Sequence, residues 1–318
     1  MESEKNHMRT CIIWGTGNDY DRLYNSIRFE ELKGNIHIAG AVTKKENMFA
    51  KFIDGIPLIA SSELCDVQFD YIIVCSNLHF NEICDDIQDL GIERNKILMG
   101  NVFSYARFDF SKYISLIENP VSIISDDCWG GEVYHMLALT FSSPTINIAW
   151  EKEEYAKFIS DLPYYLRQPL KCGREGNFET GEYPIGMLGE GDRQVQMELI
   201  HNISFEEAEE QWERRRQRVN FDNIFVKFGF DKNDNWELCM NVFDNLNYNK
   251  ICLFPEYMGK RGYINAGFYN RWVRWNYLKQ RVVSFRIEDY LRDSRCTRSA
   301  IDILGMLNGE TDCFRDSD

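Results

Sequence analysis

Val121-Ser122-Ile123-Ile124 runs into Ser125-Asp126-Asp127-Cys128-Trp129-Gly130-Gly131, and Glu132-Val133-Tyr134-His135-Met136-Leu137 follows. An apolar strand, a polar turn with glycines and a helix is the order in which α/β proteins place ligand chemistry, at the carboxyl end of a strand. The turn offers two carboxylates, an indole and two glycines, a set able to hold a metal, a sugar or a phosphate. The same residues also suit plain architecture, with Asp126 or Asp127 capping the helix and the glycines permitting the turn. Adjacent side chains at a strand end point apart, so at most one of the two carboxylates is expected to reach a given metal.

On the C-terminal side, Phe141-Ser142-Ser143-Pro144-Thr145-Ile146-Asn147-Ile148 reads as a loop entering a strand, and residues 151–161 as a helix presenting Tyr155, Phe158 and Ile159. Residues 183–188 read as a turn-bounded strand. Residues 194–201 alternate polar and apolar side chains, as a half-buried strand does. Ser204-Phe205-Glu206-Glu207 carries a capping-box signature, and its helix is read through Glu209, Trp212, Arg215 and Arg218 on one side. Residues 223–228 and 250–254 read as strands and 287–291 as a late helix. The acidic tail is expected to be mobile.

On the N-terminal side, Thr10-Cys11-Ile12-Ile13-Trp14 reads as a buried strand, and Gly15-Thr16-Gly17-Asn18-Asp19-Tyr20 turns into a helix carrying Leu23 and Ile27. Residues 36–42, 55–59 and 70–76 read as further strands, 81–90 as a helix and 96–99 as the closing strand. Strands alternating with helices imply a parallel, Rossmann-like sheet in which the Ile12 and Ile73 strands run parallel. The fold class is therefore α/β in two domains: a Rossmann-like domain at 8–103, a connecting segment at 104–118 and a second α/β domain at 119–318. Gly15 and Gly17 match the first two glycines of a dinucleotide fingerprint, but Tyr20 holds the third position and Thr43 stands where a ribose-gripping acid is expected. NAD is therefore not expected. A phosphate on the amides at this turn remains a ligand-binding expectation, against a turn that only lets strand and helix pack.

The net charge of −14 excludes a general attraction to nucleic acid or anionic lipid. Ten cysteines form no CxxC pair, and several sit in apolar runs as small hydrophobes. The polar N-terminus carries no signal peptide, and no apolar window is long enough to span a bilayer. A reduced, cytoplasmic protein without membrane insertion is expected.

The first half resembles the Rossmann modules of nucleotide-sugar enzymes of bacterial surfaces, through Ile12-Ile13-Trp14-Gly15-Thr16-Gly17, Gly55-Ile56-Pro57-Leu58-Ile59, Tyr71-Ile72-Ile73-Val74-Cys75-Ser76 and Gly91-Ile92-Glu93-Arg94-Asn95-Lys96-Ile97. The second half resembles domain of unknown function 1919, bacterial proteins associated with exopolysaccharide biosynthesis. The matching pieces are the Ser125 to Gly131 turn, Ser143-Pro144-Thr145, Tyr155-Ala156-Lys157-Phe158, Tyr183-Pro184-Ile185-Gly186, His201, Glu206-Glu207-Ala208, Trp212, Arg215, Arg218, Asn220 and Asp222-Asn223. The chain departs from that pattern at Asn202, where the family carries an aromatic residue, and at Asp127, where it often has an amide. The resemblance implies a setting and a fold, not a reaction.

Asp126 and His201 are the candidate catalytic residues, as acid/base or metal groups. Arg215 and Arg218 have guanidinium forks suited to phosphate, with an ion-paired surface as the alternative. Trp129 and Gly130 are candidates for shaping a sugar pocket, with a core position as the alternative for Trp129, and Gly15 and Gly17 are candidates for binding in the first domain. The expected function is a transferase of surface-polysaccharide biosynthesis acting on a nucleotide- or lipid-linked sugar. The alternative is a non-catalytic sugar-nucleotide-binding or assembly protein. A divalent metal is the cofactor to test, and a homo-oligomer the partner state to test.

Overall fold

The computed structural model describes residues 8–43, 50–105, 108–177, 180–229, 235–253 and 302–310. The helix expected at 287–291 and the tail beyond 310 lie outside them. The chain divides into two compact units, residues 1–118 and 119–318.

Unit 1 is built on a six-stranded sheet. Its strands are β1 (Arg9–Trp14), β2 (Ile36–Val42), β3 (Phe52–Ile53), β4 (Ile56–Ile59), β5 (Tyr71–Val74) and β6 (Ile97–Met99), in the order β3-β4-β2-β1-β5-β6. All pairings are parallel except the β3–β4 edge. Ile13 lies opposite Ile73, so the β1 and β5 strands run parallel as expected. The strands are continuous apolar runs because helices cover a parallel sheet on both faces. Helix α1 (Asn18–Leu32) buries Tyr20, Leu23 and Ile27, and α2 (Phe80–Asp89) buries Phe80, Cys84 and Ile87, each at helical spacing. Helix α3 (Phe110–Glu118) closes the unit.

Among its described residues, unit 2 holds two three-stranded sheets. One is parallel, in the order β12-β11-β7, from β7 (Ser122–Ser125), β11 (Ile224–Gly229) and β12 (Asn249–Leu253). The other is antiparallel, in the order β10-β9-β8, from β8 (Lys171–Arg174), β9 (Ile185–Leu188) and β10 (Val195–Glu198). The mixed α/β architecture in two units is the expected fold class. A core joins Ile124, Tyr155, Phe158, Met197, Trp212 and Val226 from β7, β10, β11 and the helices α5 (Lys152–Ser160) and α7 (Phe205–Arg216). Among the described residues, the further α-helices of unit 2 are α4 (Trp129–Met136), α6 (Leu162–Tyr165), α8 (Trp236–Asp244) and α9 (Ile303–Leu307).

Two expectations are corrected here, and one strand is added to them. Residues 141–148 form no strand; they turn, with Asn147 at φ 65°, and the first sheet-like pairing is the bridge from Ala149 to Glu198. The Lys171–Arg174 strand was not expected, and its four exposed residues show why: no apolar alternation marks it. Helix α7 ends at Arg216, so Arg218 lies past it. The buried stripe is Phe205, Ala208, Trp212 and Arg215, while Glu209 and Arg218 are exposed. Mixed steps of three and four hold one face, whereas repeated steps of three drift off it.

Candidate functional site

Asp126 is the first residue beyond β7 and is 1% exposed. Its carboxylate is surrounded by donors. Lys227, in the middle of β11, donates from Nζ to Oδ1 at 2.9 Å; Lys152, the first residue of α5, donates to Oδ2; and the Gly229 amide donates to Oδ2 at 3.1 Å. Lys227 also reaches Asp127 Oδ2 at 2.5 Å. The parallel pairing that sets Lys227 opposite Ser125 brings this lysine to the turn. Two carboxylates and two ammoniums thus meet at the carboxyl ends of β7 and β11. Burial pushes the Asp126 carboxyl up, but Lys152 and Lys227 outweigh that and hold it below its ordinary value. Burial disfavours the Lys227 charge, yet Asp126 and Asp127 hold its pKa above the ordinary lysine value. Asp126 is therefore an ionised buried anion, not a carboxyl poised to exchange protons near neutrality.

Asp127, the residue before the cap position of α4, takes the first helix amide: its Oδ1 accepts the Trp129 amide at 3.0 Å. Ser125 Oγ accepts the Gly130 amide at 3.2 Å and donates to the Asp127 carbonyl at 2.6 Å. The chain's own side chains thus take the first amides of α4. Gly130 is required by packing: a Cβ there would lie 2.9 Å from Ser125 Oγ and 3.2 Å from Ile123 Cγ2. Trp129 is 2% exposed and stacked on Phe225 at 6.2 Å, so its ring is spent on the core.

His201 lies beyond β10 and is exposed, with Nε2 3.2 Å from Cys128 Sγ in the α4 turn. The fold thus brings the two expected catalytic residues to one turn, through neighbours on either side of it. Arg215 is buried. It donates to the Ile146 carbonyl at 3.2 Å and lies over the Phe141 ring at 5.7 Å. Ile146 also flanks Gly131, whose Cβ position is 3.1 Å from Ile146 Cγ2, so Arg215 braces the loop beside α4. Desolvation and the neighbouring Arg214 and Arg218 charges lower its pKa. Arg218 itself is exposed, past the end of α7.

In unit 1, Gly15 has φ 98° and donates its amide to the Val42 carbonyl at 3.0 Å, which requires glycine at the turn. Gly17 is the cap residue of α1; no side chain caps that helix, and a Cβ on Gly17 would meet nothing within 4 Å. The Thr43 hydroxyl, where a ribose-gripping acid would stand, is 2.8 Å from that of Thr16.

Lys152 and Lys227 were not among the expected site residues. Lys227 carries a signal: a lysine inside the apolar run Ile224-Phe225-Val226-Lys227-Phe228 must find a buried partner. Lys152 sits among Glu151, Glu153 and Glu154 and carries none. Among the described residues, no group of three or more His, Cys, Asp or Glu is arranged to hold a metal, and no helix is long and apolar enough to cross a membrane.

Residues 99–284 match the family described as Domain of unknown function (DUF1919), and residues 7–98 match one described as C2185-like, N-terminal. An uncharacterized protein of Haemophilus influenzae is 27% identical over 156 residues, covering 48% of this chain and 71% of that relative.

Proposed function

The chain belongs to the family described as Domain of unknown function (DUF1919), and on that footing we propose that it is a transferase of bacterial surface- or exopolysaccharide biosynthesis acting in the cytoplasm on a nucleotide- or lipid-linked sugar. The observation that carries the reading is the Asp126, Asp127, Lys152 and Lys227 cluster at the carboxyl ends of parallel strands, with His201 against the same turn. Ligand groups gather at that end of an open α/β sheet. Lys152 and Asp127 are the more open members, their side chains 22% and 46% exposed. Lys152 then meets substrate phosphate, His201 moves the proton, and Asp126 holds both lysines in place. The Rossmann-like sheet of unit 1 receives a sugar nucleotide with its phosphate at the Gly15–Gly17 turn. NAD is not its ligand, because Thr43 supplies no carboxylate.

A second reading, a binding or assembly protein of the same pathway, is favoured by one observation. Both Asp126 oxygens and the first amides of α4 are already satisfied from within. A thermal-shift screen against nucleotide sugars, with and without Mn²⁺ or Mg²⁺, followed by product assay on the hits, separates the two. A ligand that binds only the folded state raises its melting temperature. A shift with turnover that is lost in His201→Ala supports the transferase. A shift without turnover supports the binding protein, and no shift with any sugar nucleotide removes the nucleotide-linked form of both.

A further inference from the structure

The turn at α4 holds one reactive group that the proposed transferase does not use. Cys128 occupies the cap position of α4 and is half-buried, and its Sγ lies 3.2 Å from His201 Nε2. The two residues are 73 apart in sequence, so the contact is made by the fold. Thiol and imidazole within hydrogen-bond reach, at a strand-to-helix turn, form the arrangement in which a base activates a nucleophile. We infer that Cys128 is a covalent nucleophile served by His201, and that unit 2 transfers an acyl group delivered as a thioester or an activated ester. Sulfur attacks carbonyl carbon readily, and a thioester passes the acyl group on to a hydroxyl. Only the acceptor, a sugar hydroxyl, is taken from the proposed function above; the reactivity of the thiol stands apart from it.

The surroundings define how the step runs. Burial, then the Asp127 and Glu132 carboxylates, push the Cys128 thiol above its ordinary pKa. The amides of Trp129 and Gly130 are engaged by Asp127 and Ser125, so the helix end does not preform a thiolate. The resting state is therefore a protonated thiol within hydrogen-bond reach of the imidazole. As Sγ adds to the acyl carbonyl, its proton passes to His201 Nε2. The tetrahedral adduct collapses by breaking the bond to the leaving thiol or alcohol, which takes that proton from the imidazolium. The acceptor hydroxyl then attacks the Cys128 thioester while His201 takes the hydroxyl proton and returns it to the departing sulfur.

The test treats the full chain with p-nitrophenyl acetate at neutral pH and locates acetyl-cysteine by peptide mass spectrometry. Cys65 and Cys172 are exposed thiols whose hydrogen bonds go to the Leu90 carbonyl and the Glu175 carboxylate, and they serve as internal standards. Cys128 should acetylate faster than both despite being less exposed. His201→Ala should slow Cys128 about 100-fold, the scale of general-base assistance, and leave Cys65 and Cys172 unchanged. His201→Gln repeats the comparison with a polar side chain that cannot take the proton, and matched melting curves show that the variants are folded. Labelling that follows exposure alone, or a Cys128 rate indifferent to His201, overturns the inference. Full sugar-transfer activity in Cys128→Ser would overturn it while leaving the proposed transferase intact.

Discussion

Two strand-to-helix turns in this chain share a layout and differ in how they are satisfied. The turn after β1 is Gly15-Thr16-Gly17; it is neutral, and no side chain caps its helix. The turn after β7 is Ser125 to Gly131, where side chains hold the first amides and a buried carboxylate is tied to two lysines. Glycine is needed in the first for its backbone, with Gly15 at φ 98°, and in the second for packing, with Gly130 closed in by Ser125 and Ile123. A glycine in a turn thus carries no fixed meaning. The first turn leaves its helix without a side-chain cap, and Asp19 and Asp21 in the first turn of α1 oppose an anion there. The second uses its amides internally, with Asp127, Cys128, His201 and Lys152 at its rim.

The largest difference between the turns should appear on removing Lys227. Met fills a similar volume without charge, and it leaves Asp126 buried with half its compensation. Lys227→Met should cost about 3–5 kcal/mol in denaturant unfolding, the range for breaking a buried pair from one side. A loss under about 1 kcal/mol would make the second turn as lightly held as the first. The pH dependence follows the same interaction. Asp126 is held below its ordinary pKa, so its contribution is present above the unfolded value of about 3.9 and drains as pH falls through the folded value. Lys227 is held above its ordinary pKa, so its contribution is present below about 10.4 and is lost as pH rises through the folded value. These are one interaction seen from two ends. The Lys227→Met variant should therefore show a shallower acid limb than the native chain.

The same contrast marks what the sequence made legible. The strand, turn and helix around Asp126 could be read because apolar runs and turn residues are local signals. So could the parallel sheet of unit 1, whose strands are too continuously apolar for a sheet with one wet face. The pairing of Asp126 could not be read locally, because Lys227 is 101 residues away and Lys152 is hidden among glutamates. His201 is marked by its strand end, but no local signal marks its thiol neighbour Cys128, which the fold brings to it from 73 residues away. Trp129 looked available for a sugar and is instead core, because periodicity cannot tell which side of α4 faces β11.

An intermediate effect separates the glycines. Gly130→Ala places a Cβ 2.9 Å from a Ser125 hydroxyl that is itself held by two hydrogen bonds, so the neighbour cannot yield freely. The expected loss is about 1–3 kcal/mol, typical of overpacking. Gly17→Ala meets nothing within 4 Å and should cost no more than about 1 kcal/mol, the scale of a cap substitution. Equal losses in thermal unfolding would erase the distinction between a packed turn and an open one.

The smallest effect is the most discriminating and concerns Asp127. Its Oδ1 caps α4 and its Oδ2 reaches Lys227, so two roles sit on one half-exposed side chain. Asn keeps a capping oxygen and discards the charge, while Ala discards both. Asp127→Ala should cost about 1 kcal/mol through the lost cap. Asp127→Asn should cost less than that, since the carboxylate is solvent-screened and Lys227 keeps Asp126 as its partner. Both are read by denaturant unfolding at neutral pH. If Asn costs as much as Ala, the cap is not what Asp127 supplies. If Asn costs as much as Lys227→Met, Asp127 rather than Asp126 balances the buried lysine, and the second turn is held from its rim instead of from its core.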